Sequence, residues 1–302
     1  MNTVGLIGLG NMGMPMAAHL IEAGYDVVGF RRGDTSDFEA LGGRRATSPR
    51  DVADQARVIL SCISSDAAVA DVVSGPQGLT SGDCSGITLV ELSTISDSTN
   101  AAQHDAFAAH GGVMLDGAIS GLPPMLVAKK ATFLIGGDEA AFEVAKPVLE
   151  LMTENLHFMG GFGCAMHTKL CANLLVASHI AAAAEALAFG SKFGLDPIKL
   201  LDVLTTSAGA SLQLQARGKR MATGDWDEVL GSTNLLTKDI HIIERAAEDI
   251  GCPVPVLGSA ARVYEKAIQD GYGDTDVASV YAAFASAAGL EIPNQRKDSK
   301  HG

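Results

Sequence analysis

The first thirteen residues leave the chain few folds to choose from. An apolar run, Val4-Gly5-Leu6-Ile7, ends in Gly8-Leu9-Gly10-Asn11-Met12-Gly13, and helical spacing begins at once over Met12–Ala23. With 34 glycines in 302 residues, a GxGxxG pattern alone would arise by chance. Placed between a first strand and a first helix it has a physical purpose. Gly8 permits a tight turn, Gly10 lets backbone approach a pyrophosphate, and Gly13 lets helix and strand pack closely. The helix N-terminus then offers unpaired N–H groups to the anion.

The same alternation of strand and helix continues through the first half of the chain. Short apolar runs recur at Val4–Ile7, Val27–Phe30, Val58–Ile63, Thr88–Leu92, Val113–Leu115 and Thr132–Ile135, with helical spacing between them over Met12–Ala23, Ala67–Val73 and Asn100–His110. Continuous apolar strands alternating with helices predict an α/β fold, a Rossmann-type doubly wound parallel sheet buried on both faces. After Gly163 the strand-like runs stop. Helical stretches take over at Cys164–Phe193, Pro197–Thr205, Leu212–Met221, Thr237–Ile250, Val256–Asp270 and Asp276–Ala288, punctuated by Gly194, Gly251 and Gly271. The expected division is a dinucleotide-binding domain over 1–163 and an all-helical substrate and oligomerisation domain over 164–302. The polar tail Asn294–Gly302 is expected to fray.

Charge and composition narrow the classes of function. Acidic residues outnumber basic ones 35 to 22, a formal net charge of −13, which gives no general attraction for phosphate backbones and argues against nucleic-acid binding. A hydrophobic fraction of 47% argues against disorder. The N-terminal residues lack the basic start and cleavage site of a secretory signal. The most apolar later stretch, Leu170–Ala184, reads as a buried helix, too short and too polar to span a bilayer. Cys62, Cys84, Cys164, Cys171 and Cys252 show no CxxC spacing, so reduced thiols in a cytoplasmic protein are expected. His167 and His179 read as ordinary helix residues, and no metal is expected.

The end of the second strand bears on the cofactor. NAD-binding versions usually place Asp or Glu there; this chain reads Phe30-Arg31-Arg32-Gly33. Guanidinium groups pair with a 2′-phosphate that an acid would repel, so NADP(H) is preferred, with NAD(H) possible. Further along, Lys169 and Asn173 stand four apart and share one face of an otherwise apolar helix. By residue type alone, Lys169 reads either as a site lysine or as a stem packed on the surface with its amine in water.

Several motifs in order carry a resemblance. They are Gly5 through Ala17, Leu92-Ser93-Thr94-Ile95-Ser96, Asp116 through Gly121, Gly160 through Asn173, Thr237-Lys238-Asp239, and Gly271 through Asp276. Over nearly its whole length the chain resembles the β-hydroxyacid dehydrogenase family, of the 3-hydroxyisobutyrate dehydrogenase and tartronate semialdehyde reductase kind. The resemblance implies that Gly8, Leu9, Gly10, Asn11, Met12 and Gly13 hold the cofactor with Arg31 and Arg32. It implies that Ile63 and Thr94 line its nicotinamide side and that Lys238 lies near it. Ser120, Gly121, Leu122 and Asn173 would bind substrate, and Lys169 would be the general acid/base. The implied substrate is a small β-hydroxy acid or semialdehyde acid, and the implied assembly a homodimer or homotetramer with no membrane or nucleic-acid partner.

Departures from the family pattern fall on the substrate side. Leu122 replaces a usual glycine, Lys129-Lys130 replace a usual Gly-Thr, and Gly117-Ala118 stand where Ala-Pro is common. Leu122 and Met125 would narrow the pocket; the two lysines would meet an anionic group or simply be solvated. Two other readings compete. An imine reductase shares this architecture but generally replaces the lysine, and a catalytically silent cofactor-binding scaffold would have lost Lys169, Asn173 or Ser120.

Overall fold

The computed structural model describes residues 3–293, so the tail Asn294–Gly302 lies outside the described residues. The chain forms two compact units, one ending at Lys169 and the other beginning at Leu170. That boundary falls inside a helix starting at Cys164, so the first turns of this helix belong with the sheet.

The first unit holds strands β1 (Thr3–Ile7), β2 (Asp26–Phe30), β3 (Arg44–Arg45), β4 (Val58–Ser61), β5 (Thr88–Glu91), β6 (Val113–Ser120), β7 (Thr132–Gly136) and β8 (Asn155–Phe158). Its helices are α1 (Gly13–Glu22), α2 (Ser36–Ala40), α3 (Pro49–Gln55), α4 (Asp66–Ser74), α5 (Asp97–Ala109), α6 (Pro123–Val127) and α7 (Glu139–Leu149), followed by the start of α8 (Cys164–Lys192). Among the described residues the strands form one sheet in the order β3-β2-β1-β4-β5-β6-β7-β8. The order reverses between β1 and β4, the position where open α/β sheets bind ligands at their carboxyl ends.

Neighbouring residues of the central strands feed opposite faces. Leu6, Leu60, Val90 and Leu115 enter one core with Met16, Leu20 and Phe133. Ile7, Ile59, Leu89 and Met114 enter the other with Val28, Val69 and Phe107. Each strand is apolar at successive positions for this reason. One pairing departs from the expected parallel pattern: β7 runs antiparallel to β6. The Gly121–Ala131 link carries only the five-residue α6, while a parallel crossover needs a dozen residues or more, usually with a full helix. β3, β8, α2, α3, α6 and α7 also lie outside the apolar and helical runs of the sequence.

The second unit is helical, with the remainder of α8, then α9 (Pro197–Leu204), α10 (Leu212–Thr223), α11 (Thr233–Asp249), α12 (Pro255–Ala267) and α13 (Val280–Ala287). Its core joins Ile180, Ala184 and Leu187 of α8 to Leu214, Met221, Trp226, Ile240, Tyr264 and Tyr281. Small α8 residues such as Ala177 let neighbours come close, and the Tyr264 hydroxyl donates to the Ala177 carbonyl at 2.8 Å. A buried ion pair, Arg217 Nη1 to Asp276 Oδ1 at 2.5 Å, ties α10 to the loop before α13. The expectation that Leu170–Ala184 is too short and too polar to span a bilayer needs correcting. The segment is part of a 29-residue helix, long and apolar enough by those two measures to cross a membrane. Within the second unit its Ala177, Ile180, Ala184 and Leu187 are instead core residues.

Candidate active site

The loop between β1 and α1 divides its glycines by task. Gly8 has φ +95°, and a side chain there would stand 2.1 Å from the Cys62 carbonyl oxygen; at Gly13 it would stand 1.8 Å from the Gly8 carbonyl oxygen. Both positions are closed to any Cβ. At Gly10 a Cβ would meet nothing within 4 Å. Space therefore lies open at Gly10, and among the described residues no side chain caps the first turn of α1. An open glycine at an uncapped helix N-terminus fits a pyrophosphate. Leu9 is buried in the core, and Asn11 and Met12 complete the turn.

The two arginines after β2 differ. Arg31 donates to the Leu9 carbonyl at 2.7 Å, to the Asp34 carbonyl, and through both Nη atoms to the Asp37 carboxylate. Its guanidinium braces the glycine loop. Arg32 is exposed. The nearby acids are both occupied: Asp37 is held below the usual carboxylate range first by Arg31, and Asp34 first by the Ser36 hydroxyl.

At the carboxyl ends of β4 and β5 a chain of polar contacts fixes the loops. The Ile63 N–H donates to Ser93 Oγ at 2.7 Å, and the Ser93 N–H donates to Glu91 Oε1 at 2.9 Å. Thr94 comes next, half-buried. Glu91 is 1% exposed, and burial pushes its carboxyl up despite the Ser93 and Ser61 bonds. Burial, reinforced by Glu91, also pushes the neighbouring Cys62 thiol up to about 12, against the pull of the Lys169 ammonium. Lys169 is only 8% exposed. Ser120 ends β6, and Gly121 and Leu122 lead into α6.

Asp116, in the middle of β6, stands out in the sequence only as part of a motif. Its Oδ1 accepts from the Gly163 N–H and its Oδ2 from the Met166 N–H, both at 2.9 Å. It is fully buried. Burial raises its pKa, while the backbone donors of Met166, Gly163 and Ala165 pull the other way. For both Asp116 and Glu91 the available signal was an acid inside an otherwise apolar strand, a placement costly unless it does something.

Asn173 begins the chemistry of the second unit, one helical turn beyond Lys169 on α8. It is 5% exposed, and its Nδ2 donates to Asp239 Oδ2 at 2.8 Å. Asp239 Oδ1 in turn lies 3.0 Å from Lys238 Nζ. Asn173, Asp239 and Lys238 are therefore one connected group, and Asp239 is the member to which the sequence assigns no role. Ile63, Thr94, Ser120 and Lys169 sit with the glycine loop in the first unit.

The substrate-side departures resolve differently from one another. Lys130 pairs with Glu154 at the surface. Lys129 has φ +57°, the only non-glycine residue among those described with a positive φ. Leu126 of α6 is buried, and its carbonyl lies 3.0 Å from His19 Nε2, fastening the loop to α1. Among the described residues no three His, Cys, Asp or Glu side chains gather as a metal site.

Comparison with known proteins agrees along the chain. Residues 3–161 match the NAD-binding domain of 6-phosphogluconate dehydrogenase, and residues 163–284 match the NAD-binding model of NADP-dependent 3-hydroxyisobutyrate dehydrogenase. The mitochondrial 3-hydroxyisobutyrate dehydrogenase of Rattus norvegicus is 32% identical over 92% of this chain and 85% of its own. The NAD-dependent L-serine dehydrogenase of Pseudomonas aeruginosa is 29% identical over 96% of this chain and all of its own. Among solved structures, a 3-hydroxyisobutyrate dehydrogenase from Salmonella typhimurium superposes with a TM-score of 0.85 at 28% identity, covering 93% of this chain and 99% of that one. Psf3, in complex with NADP+ and 2-OPP, superposes at 0.83 with 25% identity, covering 92% and 99%.

Proposed function

Because the chain belongs to the β-hydroxyacid dehydrogenase family, we propose that it interconverts a small β-hydroxy acid and its semialdehyde acid, preferring NADP(H), with Lys169 as general acid/base. The observation carrying this reading is the burial of Lys169, at 8% exposure and one turn from the equally buried Asn173. A titratable amine buried on one helix face beside a buried carboxamide suits proton transfer to or from a hydroxyl.

The nicotinamide, when bound, supplies the hydride acceptor or donor. In oxidation the substrate hydroxyl must lose a proton as its carbon loses hydride, and Lys169 Nζ is the group to take it. In reduction the same amine, protonated, donates to the carbonyl oxygen as negative charge develops there. Asn173, one turn along the same helix and oriented by Asp239, offers its carboxamide as a further substrate contact, and the Ser120–Gly121 turn holds the substrate carboxylate. Arg32, exposed while Arg31 braces the loop, is the residue for a 2′-phosphate, and Arg31 offsets the charge of Asp37 by pairing with it. The relatives named for 3-hydroxyisobutyrate and L-serine indicate the substrate class. Large apolar side chains exposed at the end of α8, Phe189 in its last turn at 67% and Phe193 just beyond it at 72%, support pairing of the helical unit with a second copy.

The experiment is a panel of three- to five-carbon hydroxy acids, including 3-hydroxyisobutyrate and L-serine, assayed with NADP+ and NAD+ by nicotinamide absorbance. Turnover should appear with NADP+ at the lower cofactor concentration. Lys169→Ala should lower kcat by about 10²–10⁴-fold while NADP+ affinity stays within about threefold. Near-full turnover by that variant would sink the acid/base assignment.

A further inference from the structure

We infer that Asp116 is a positioning residue for the reaction: it fastens the start of α8, and with it Lys169, to the strand that ends in the Ser120–Gly121 turn. The inference rests on Lys169 being the general acid/base.

Where other helices of this protein carry a side-chain cap, it comes from close by. Ser48, Ser65, Ser96 and Asp138 cap α3, α4, α5 and α7, and Asp196, Ser211 and Ser232 cap α9, α10 and α11, each accepting from an amide of the first turn. The helix that carries Lys169 is preceded by Gly163, at φ +94° and without a side chain to offer. Its acceptors come from Asp116, 47 and 50 residues earlier in the chain, one carboxylate oxygen for Gly163 and the other for Met166. A carboxylate here satisfies orphan donors and complements the positive end of the helix dipole.

The surroundings are shaped for this contact. Gly136 lies opposite Asp116 in the β6–β7 register. A Cβ on Gly136 would stand 2.6 Å from Asp116 Oδ1, 2.8 Å from the Gly161 carbonyl and 3.2 Å from the Ala165 nitrogen. Room for the clamp therefore depends on the missing side chain. Stability alone does not call for the arrangement. A serine or aspartate at the cap position would satisfy the same amides on the helix's own chain, without placing a carboxyl inside a sheet.

Geometry is what the distant cap adds. Met166 and Lys169 are three apart and lie on neighbouring positions of one helix face. In the other direction, Ser120 is four residues beyond Asp116 on the same face of β6, about 13 Å away at ~3.3 Å per residue. One carboxylate thus ties the proton-transfer residue to the strand that presents the substrate turn. A displacement of about 1 Å in such an alignment can cost about 10²-fold in rate.

Asp116→Asn keeps the shape but turns one acceptor into a donor facing an amide N–H. With NADP+ and 3-hydroxyisobutyrate, or L-serine if that is the faster substrate, kcat should fall at least about tenfold. NADP+ affinity should stay within about threefold, and the isotope effect with substrate deuterated at the hydroxyl carbon should rise. The decisive readout is the double variant. If Asp116 works through Lys169, adding Asp116→Asn to Lys169→Ala should cost less than about twofold more in residual turnover. A tenfold loss repeated in that background would mean general damage and overturn the inference, as would wild-type kcat in Asp116→Asn. Should Lys169→Ala itself retain full activity, the acid/base reading fails first and this one with it. If Asp116→Asn does not fold, Gly136→Ala, which crowds the clamp and leaves the carboxylate intact, should reproduce the same pattern; normal kcat there would count against the clamp.

Discussion

The starts of α1 and α8 are alike in sequence and opposite in use. Each comes after a glycine-rich turn, Gly8–Gly13 before one and Gly160–Gly163 before the other, and neither helix has a side-chain cap of its own. At α8 the amides are taken by Asp116. At α1 the Met12 side chain makes no cap bond, the Met14 amide goes to the Gly10 carbonyl, and among the described residues no side chain takes the others, while the loop is open at Gly10. An uncapped helix start is therefore ambiguous: it marks an anion site when nothing in the fold reaches it, and an anchor when a distant carboxylate does. The difference lies in whether a neighbouring strand carries an acid at the right level, which no local pattern reports.

The strongest way to break this contrast is at Gly10. Because a Cβ there meets nothing, Gly10→Ala should fold with an unchanged melting temperature. If the open amides serve a pyrophosphate, the methyl group stands in its way and NADP+ affinity should drop about 10–100-fold, the equivalent of about 1.4–2.8 kcal/mol. Titration of cofactor binding by fluorescence reads this directly, and wild-type affinity would show that the loop is only a strand-to-helix turn.

The same contrast separates what is legible in the sequence from what is not. The β1–α1 loop is legible because strand, turn and helix are contiguous, so spacing alone fixes the tasks of Gly8, Gly10 and Gly13. Strand runs and the long helices are legible because both sheet faces and the helical core bury apolar residues. Asp116 and Asp239 are not, because each acts on a partner 47 to 66 residues away. Arg31 is legible as a cation but not as a brace, since Leu9 lies 22 residues off. The reversed β7 escapes because pairing direction depends on the length of the connection rather than on strand composition.

A second test probes the acid beside the anchor. Glu91 pairs in register with Asp116 on one side and Ser61 on the other, and burial raises its pKa. When the unfolded chain ionises in the ordinary carboxylate range, the native Glu91 still holds its proton, so native stability is lost as pH rises toward the raised native pKa. Below the ordinary range the group contributes no such penalty. Glu91→Gln lacks the titration, so its stability relative to wild type should climb with pH, by about 1.4 kcal/mol for each unit of upward displacement. Urea denaturation at intervals between pH 4 and pH 8 measures it. A relative stability independent of pH would show that Glu91 ionises as easily folded as unfolded.

The smallest expected effect belongs to a third turn, where a glycine is missing. Lys129 holds a left-handed backbone at φ +57°, in the stretch where the family resemblance implies a glycine. A side chain in that region costs about 1–2 kcal/mol, while glycine gives back about 0.5–1 kcal/mol through the entropy of the unfolded chain. Lys129→Gly should therefore stabilise the protein by only about 0.5 kcal/mol, visible as a slightly higher urea midpoint. Its neighbour Lys130 is already paired with Glu154, so the loop offers one uncommitted reason for a lysine at 129: contact with an anionic substrate. Unchanged KM in Lys129→Gly would assign the residue to the surface and leave it as tolerated strain. A KM raised several-fold for the hydroxy acid, with NADP+ affinity unaltered, would add it to the substrate-binding turn. In that case the strain would be the cost of a specificity contact, as strained backbone at functional sites often is.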